Sequence, residues 1–387
     1  MVADYDVIVG GAGPSGATAA RGCARAGLKT LLIDKEKLPR HKACGGGVNA
    51  KAERLLDFQI PEEIVERRAY GMRINYWNRT NAFLKKHPIT TLVSRDKFDK
   101  LLSEKAVEAG AQLMEGVCVS AVSKEGSVQA VETSEGKLRS KILVGADGVN
   151  SIVALRVRRK LTAFELASLI EAEVPMSPGE IDDKFNGYLD IYFGNSVGLG
   201  YGWIFPKRDS LNVGIGSLLK VFKNPKKRFM EFLNKMKFPT DVELHPHLIP
   251  LGDPKRPVVS DGIVLVGDAA GYADPLTGEG IYQAIYSGKL AAHTIATAVQ
   301  NNNYSKEFLS AYHSNCRHAF SEEFRRARKS ALVVYGLPFI SYPLIIGNNE
   351  VLDKFIDIVT GDLTYKTFKK WAVPKLPSLI LKSVRHI

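Results

Sequence analysis

Residues 4–9 (DYDVIV) form a short apolar run that stops at a pair of glycines. A short continuous run of this kind marks a strand buried on both faces. Residues 14–25, rich in alanine, predict a helix, and residues 28–34 (LKTLLID) a second apolar strand. Strand, glycine turn, helix and strand compose a parallel βαβ unit. Residues 99–108 (DKLLSEKAVE) repeat at helical spacing and residues 113–122 read as extended. Residues 141–146 (KILVGA) and 262–266 (GIVLV) have the same texture as the first strand.

Residues 70–92 and 162–249 are patterned differently. RINYWN, GYLDIYFG, GYGWIFP and LNVGIG alternate, with many aromatics and glycines, and predict an antiparallel sheet. The two textures interleave along the chain. The expectation is an α/β fold whose first domain comprises residues 1–69, 95–160 and 250–320. An antiparallel-sheet domain would take 70–94 and 161–249, and a helical region 321–387. Residues 331–348 are uncharged and hold Pro338 and Pro343. That run is shorter than the ~20 residues of a membrane-spanning helix, so a buried helix pair or an interfacial segment is expected.

The chemistry begins at Gly11-Ala12-Gly13-Pro14-Ser15-Gly16, a G-x-G-x-x-G directly between strand and helix. Gly11 permits the tight turn, Gly13 lets backbone approach a pyrophosphate, and Gly16 lets helix pack on strand. The helix N-terminus, at Ser15 and its neighbours, supplies N–H groups and a positive dipole to the phosphates. Asp34, 23 residues after Gly11, ends the second strand where an acid bonds an adenosine ribose. Such an acid does not separate NAD from FAD. Asp268, at the end of IVLVGDAAG, can bond ribityl hydroxyls. Gly280 and Ile281 open a long helix (281–298) whose N-terminus can stabilise negative charge on a reduced flavin. Taken singly, Asp268 caps a turn and Gly280 starts a helix; their order and spacing are what select FAD.

The succession of glycine turn, Arg95–Asp99 (RDKFD), Gly145-Ala146-Asp147-Gly148 and Gly267-Asp268…Pro275…Gly280 resembles the flavoprotein fold of hydroxylases such as p-hydroxybenzoate hydroxylase. The resemblance implies an FAD contact for Arg95, a brace beside the cofactor for Asp147-Gly148, and backbone pairing with adenine at Val119. Two further segments, Lys42-Ala43-Cys44-Gly45-Gly46-Gly47 and Tyr201-Gly202-Trp203-Ile204-Phe205-Pro206, resemble the geranylgeranyl reductase family. The family's pattern P-x-x-Y-x-W-x-F-P is kept except that Gly198 stands at the first proline.

This second resemblance implies an FAD-dependent oxidoreductase acting on CH–CH groups. It would saturate isolated C=C bonds of geranylgeranyl chains, in archaeal ether-lipid precursors such as digeranylgeranylglycerophospholipid or in the chlorophyll tail. Cys44, Gly45 and Gly47 would lie beside the flavin, since consecutive glycines let backbone pass close to a flat ring. Tyr201, Trp203 and Phe205 share one strand face and would line an apolar tunnel for the prenyl chain. An isolated alkene accepts hydride only with a proton delivered to its other carbon. Cys44 and Tyr201 are the candidate proton sources, with an ordered water as the third. A flavin monooxygenase or halogenase is the alternative on the same fold. Halogenases carry W-x-W-x-I-P, from which residues 201–206 differ at two of four fixed positions. A non-enzymatic flavin or lipid carrier is the other.

Composition narrows partners and compartment. The net charge of +12 favours something anionic: a phosphorylated lipid substrate or an anionic membrane surface, contacted peripherally, rather than nucleic acid, for which no module signature appears. Four scattered cysteines (Cys23, Cys44, Cys118, Cys316) without a C-x-x-C pair fit a reducing cytoplasm and no metal site. No leader precedes the first strand, which also suggests a cytoplasmic enzyme. No second glycine turn serves a nicotinamide, so the electron donor is left between NAD(P)H and ferredoxin.

Overall fold

The structure, a computed structural model, describes residues 2–194 and 197–385. Its contacts divide the chain into two compact units, both assembled from separated stretches. The first comprises Met1–Lys42, Arg95–Leu161 and Pro250–Phe324; the second comprises Ala43–Ser94, Thr162–Ile249 and Arg325–Ile387.

The first unit is built on five parallel strands, in the order Ile263–Leu265, Gly136–Gly145, Tyr5–Gly10, Thr30–Asp34 and Gln112–Glu115. Val7, Ile8, Val9, Leu31, Leu32 and Leu143 are fully buried, as continuous apolar runs require. A hairpin, Val119–Glu125 and Val128–Thr133, extends antiparallel from Gly136–Gly145. The segment expected to be extended over 113–122 is thus two strands. They are separated at Gly116, whose φ of +73° breaks the run. Helix Pro14–Arg25 packs on Ile281–Gln300 and Arg95–Glu108. Small residues make the first crossing close: a Cβ on Gly22 would sit 2.5 Å from the Ala292 methyl.

The second unit is organised around a seven-stranded sheet, in the order His245–Pro250, Leu166–Pro175, Ser210–Leu218, Gly198–Pro206, Tyr188–Gly194, Gly71–Tyr76 and Arg79–Leu84. It is not wholly antiparallel as expected, because Tyr188–Gly194 pairs parallel to Gly71–Tyr76. Those strands lie more than a hundred residues apart in the chain, so no hairpin dictates their direction. Ile170, Ala172, Val174, Ile204, Val213 and Ile215 point to one side, where helices Pro178–Phe185 and Pro225–Met236 cover them with Ile181, Phe185, Phe229 and Phe232. Met72, Ile74, Leu189 and Ile191 point to the other. There Ile346, Leu352 and Ile356 of helices Pro338–Ile346 and Asn349–Thr360 join the same cluster.

Two boundaries differ from the sequence-based division. Residues 43–69 cluster with the second unit because Gly47–Asn49 and Val65–Ala69 flank Thr90–Val93 in a three-stranded sheet. The helical region from Arg325 onward belongs there too, through the shared apolar cluster. The uncharged run is not a buried pair. Helices Lys306–Gly336 and Pro338–Ile346 bend by 100° at their junction, and Leu332, Val333, Leu337, Phe339 and Ile340 are exposed there, Phe339 by 84%. Tyr342 and Ile346 face inward.

Candidate functional site

In the first unit, Gly11 adopts φ +107°, and a Cβ there would meet the Ala146 carbonyl oxygen at 2.3 Å. Residues 146–147 therefore brace the glycine turn from behind. The Asp147 carboxylate is occupied locally, accepting from the Ser151 hydroxyl and from the Ile152 and Val153 amides. A Cβ on Gly16 would lie 1.8 Å from the Gly11 carbonyl oxygen, so the helix can dock at this height only on glycine. Around Gly13 the space is open. The nearest atom to an added Cβ is an Arg40 guanidinium nitrogen at 3.9 Å. Helix Pro14–Arg25 has no side-chain cap and no acid in its first turn. Uncapped N–H groups facing open space beside a guanidinium suit a pyrophosphate.

Asp34 is buried and accepts from the Ala12 amide at 2.7 Å and the Glu36 amide at 3.0 Å. It holds the glycine turn in shape, and a carboxylate's remaining lone pairs stay available for a ribose. Arg95 forms a two-pronged pair with Asp99 at 2.8 and 2.9 Å. Arg40 approaches the same buried Asp99 at 3.2 Å and Asp34 at 3.5 Å. One fully buried carboxylate thus orients two guanidinium groups in the cofactor unit. Arg40 carried no sequence signal, since it lies in an irregular segment outside every motif. Val119 lies beside the end of the first strand, its methyl 3.7 Å from a Cβ placed on Gly10.

Asp268 follows Gly267, which adopts φ +54° beside Ser15. One carboxylate oxygen of Asp268 lies 3.7 Å from a Cβ placed on Gly280, at the uncapped N-terminus of Ile281–Gln300. Desolvation raises the Asp268 carboxyl above its ordinary range, opposed by the charges of Lys42 and Arg95. The Arg158 guanidinium donates to the Ala269 carbonyl at 2.8 Å and steadies this corner.

The second unit holds Cys44, Gly45, Gly47, Tyr201, Trp203 and Phe205. A Cβ on Gly45 would meet the Phe205 ring at 2.6 Å, so the glycine run packs directly on the aromatic stripe. Gly46 adopts φ +73° with a Cβ position 2.0 Å from the Val93 carbonyl oxygen. Gly47 opens the strand paired with Thr90–Val93. Tyr201, Trp203 and Phe205 succeed one another with ring centroids 6.0 and 6.4 Å apart. The Trp203 indole lies over Gly214, where a Cβ would be 2.1 Å from the ring, and donates to Asn212 Oδ1 at 2.7 Å.

Register adds a residue absent from the sequence motifs. Trp203 pairs with Gly214, and Gly214 pairs with Glu171 on the next strand. Glu171 therefore shares the face of the aromatic stripe. It is 2% exposed, and its Oε1 accepts the Cys44 amide at 2.7 Å. Its neighbour Glu173 accepts from Lys207 at 2.7 Å, Asn212 at 2.9 Å and Ser210 at 3.1 Å. The Cys44 sulfur accepts the Gly46 amide at 3.4 Å. Alternation in LASLIEAEVP was legible, but a polar residue on a strand reads as solvent-facing until its partners are known. Among the described residues no group of three or more His, Cys, Asp or Glu is arranged to hold a metal ion.

Residues 4–180 match the FAD binding domain. These features define the chain as an FAD-dependent oxidoreductase. Residues 176–245, which include the aromatic stripe, match the geranylgeranyl reductase catalytic domain. The digeranylgeranylglycerophospholipid reductase of Thermoplasma acidophilum is 30% identical over 92% of this chain and 91% of its own length. The chain belongs to the geranylgeranyl reductase family. The crystal structure of a geranylgeranyl bacteriochlorophyll reductase-like protein from Thermoplasma acidophilum superposes with a TM-score of 0.81. It is 27% identical and covers 99% of both chains. The flavin-dependent brominase Bmp2, 22% identical with a TM-score of 0.74 over 97% of this chain and 99% of its own, shares the fold.

Proposed function

We propose that this enzyme saturates isolated C=C bonds of geranylgeranyl chains in an ether-lipid precursor, digeranylgeranylglycerophospholipid or a close analogue. The supporting observation is the sheet face of the second unit, where Tyr201, Trp203 and Phe205 form an aromatic wall on a glycine run. Such a face suits an apolar polyprenyl chain. Bmp2, with less than a quarter of its residues in common, bears on the fold rather than on a halogenation or hydroxylation reading.

The residues present fit FAD. The uncapped N-terminus after Gly13 holds the pyrophosphate, with Ser15 and Arg40 beside it, while Gly11 and Gly16 keep the turn tight. Asp34 takes the adenosine ribose, Val119 the adenine edge, and Asp268 the ribityl hydroxyls. Arg95, aligned by Asp99, contacts the cofactor. The amides at Gly280 and Ile281 stabilise negative charge near the pyrimidine edge. When bound and reduced, FAD supplies the hydride. The chain's own part is to exclude water and to hold one proton for the second alkene carbon. Cys44 and Tyr201 are the exchangeable groups that the motifs nominate. Electrons come from NAD(P)H or a ferredoxin.

No single described helix is long and apolar enough to cross a membrane; the bent pair Lys306–Gly336 and Pro338–Ile346 passes on length and composition only. Leu332, Val333, Leu337, Phe339 and Ile340 on that pair follow Arg325, Arg326, Arg328 and Lys329. Exposed apolar side chains next to basic ones suit the surface of an anionic bilayer, from which the lipid is drawn. Mass spectrometry of what leaves the purified protein on denaturation tests the whole reading. FAD with a phosphorylated prenyl lipid is expected. FAD with an aromatic compound, together with NADPH-driven oxygen consumption on that compound, would favour a monooxygenase instead.

A further inference from the structure

In the second unit, strands Gly71–Tyr76 and Arg79–Leu84 are joined by a loop of two residues, Trp77 and Asn78, since Tyr76 pairs with Arg79. Trp77 takes the first loop position with φ +55°. Glycine, asparagine or aspartate is usual there, because a bulky side chain is strained at positive φ. Burial does not account for the indole, which is 61% exposed and meets the Tyr76 ring edge-on, centroids 6.2 Å apart. A strained and exposed aromatic side chain at a hairpin tip points to a role outside the fold itself.

Trp77 also borders a cleft of about 400 Å³, together with Tyr192, Phe193, Phe232, Met236 and Lys235. Among the described residues Lys235 is the one charged side chain on its lining. Lys235 stands in the last turn of helix Pro225–Met236, Lys237 follows it, and both are exposed. The hairpin tip adjoins the exposed apolar run around residues 332–340 through one aromatic pack. Tyr76 meets Tyr342 edge-on at 5.1 Å, and Tyr342 stacks on Phe193 at 4.5 Å. Tyr342 is an inward residue of the same helix whose Phe339 and Ile340 are exposed. We propose that Trp77 is a bilayer anchor, its indole seated at the headgroup boundary of an anionic phospholipid membrane and Lys235 on a lipid phosphate. Indole joins an apolar body to one N–H donor, the combination favoured where acyl chains meet headgroups. A lysine beside it reaches phosphate with its ammonium and lays its stem on apolar surface. The ammonium in the cleft and the net charge of +12 favour an anionic bilayer over a second copy of this basic chain.

This inference rests on the bilayer reading of residues 332–340 for its partner and adds the hairpin as a separate contact. Its test is co-sedimentation of the holoprotein with vesicles of phosphatidylglycerol and phosphatidylcholine in equal parts. Trp77→Gly suits the positive φ, so its thermal midpoint should hold or rise. Its vesicle affinity should nevertheless fall about tenfold, the weight of one partly buried aromatic side chain. Lys235→Gln should weaken binding to these vesicles and leave binding to phosphatidylcholine alone unchanged. Vesicles with brominated acyl chains should quench wild-type tryptophan emission. Trp77→Phe should lose that quenching, because Trp203 is buried and Trp371 half-buried. Wild-type affinity in Trp77→Gly, or quenching that survives in Trp77→Phe, overturns the hairpin anchor; if Phe339→Asp still lowers affinity, the reading of residues 332–340 stands without it. A wild type that sediments with no vesicle overturns both. A dimer in solution that Trp77→Gly dissociates, with vesicle affinity unchanged, assigns the tip to a second copy and overturns the proposal.

Discussion

Gly45→Ala perturbs the second unit where the glycine run meets the aromatic stripe. The added methyl would lie 2.6 and 2.8 Å from two carbons of the Phe205 ring, where carbon atoms settle at about 3.5–4.0 Å. Gly45 has no positive φ, so the cost is packing and not backbone strain. The ring must retreat by about 1 Å. One direction is closed by Trp203, which is pinned over Gly214 and bonded to Asn212. Overpacking of this kind costs about 1–3 kcal/mol, and a half-buried ring puts the expectation near 2 kcal/mol. All three tryptophans, Trp77, Trp203 and Trp371, belong to the second unit, so urea unfolding followed by tryptophan fluorescence reports on that unit. In a Phe205→Leu background the Gly45→Ala cost should shrink to about 0.5 kcal/mol or less, a coupling well outside the additivity of independent sites. Equal costs in both backgrounds would refute the claim that the glycine run exists to admit the aromatic stripe.

Gly16→Ala forces a methyl to within 1.8 Å of the Gly11 carbonyl oxygen. Flavin absorbance per protein should show at least tenfold weaker FAD retention, about 1.4 kcal/mol. Glu171 also makes stability depend on pH. Its folded pKa is raised from 4.5 to about 7, so the associated stability is fully present below about 4.5 and is lost as pH rises through 7. Relative to Glu171→Gln, wild-type holoprotein should lose roughly 3 kcal/mol across that window, at about 1.36 kcal/mol per pKa unit. Parallel denaturation curves at pH 4.5 and 8 would contradict this. Replacing Phe339, 84% exposed, by Asp should lower co-sedimentation with anionic phospholipid vesicles severalfold and leave the flavin spectrum unchanged.

The strands of the first unit were legible because both their faces are buried, which makes hydrophobicity continuous and hard to mistake. The glycine turn and the acid at Asp34 were legible because the turn's backbone admits few alternatives. Three features escaped a linear reading. Arg40 acts from an irregular segment, and its meaning comes from Asp99, about sixty residues later in the chain. Glu171 looks like the solvent-facing half of an alternating strand until register places it beside Gly214 and Trp203. The parallel pairing of Tyr188–Gly194 with Gly71–Tyr76 depends on which distant strands meet, a matter of topology that local alternation does not encode. The run around 332–340, exposed in the fold, left a buried helix pair and an interfacial segment undivided for the opposite reason. An uncharged run signals low polarity without saying what covers it.

The most direct test of the central claim is the mass of the lipid after turnover. Dithionite-reduced holoprotein is mixed anaerobically with digeranylgeranylglycerophospholipid, the flavin is followed to reoxidation, and the lipid is extracted for mass spectrometry. The account predicts a gain of two hydrogens for every double bond saturated, one bond per flavin reoxidised. An unchanged lipid, with the flavin reoxidising only when oxygen is admitted, would contradict it.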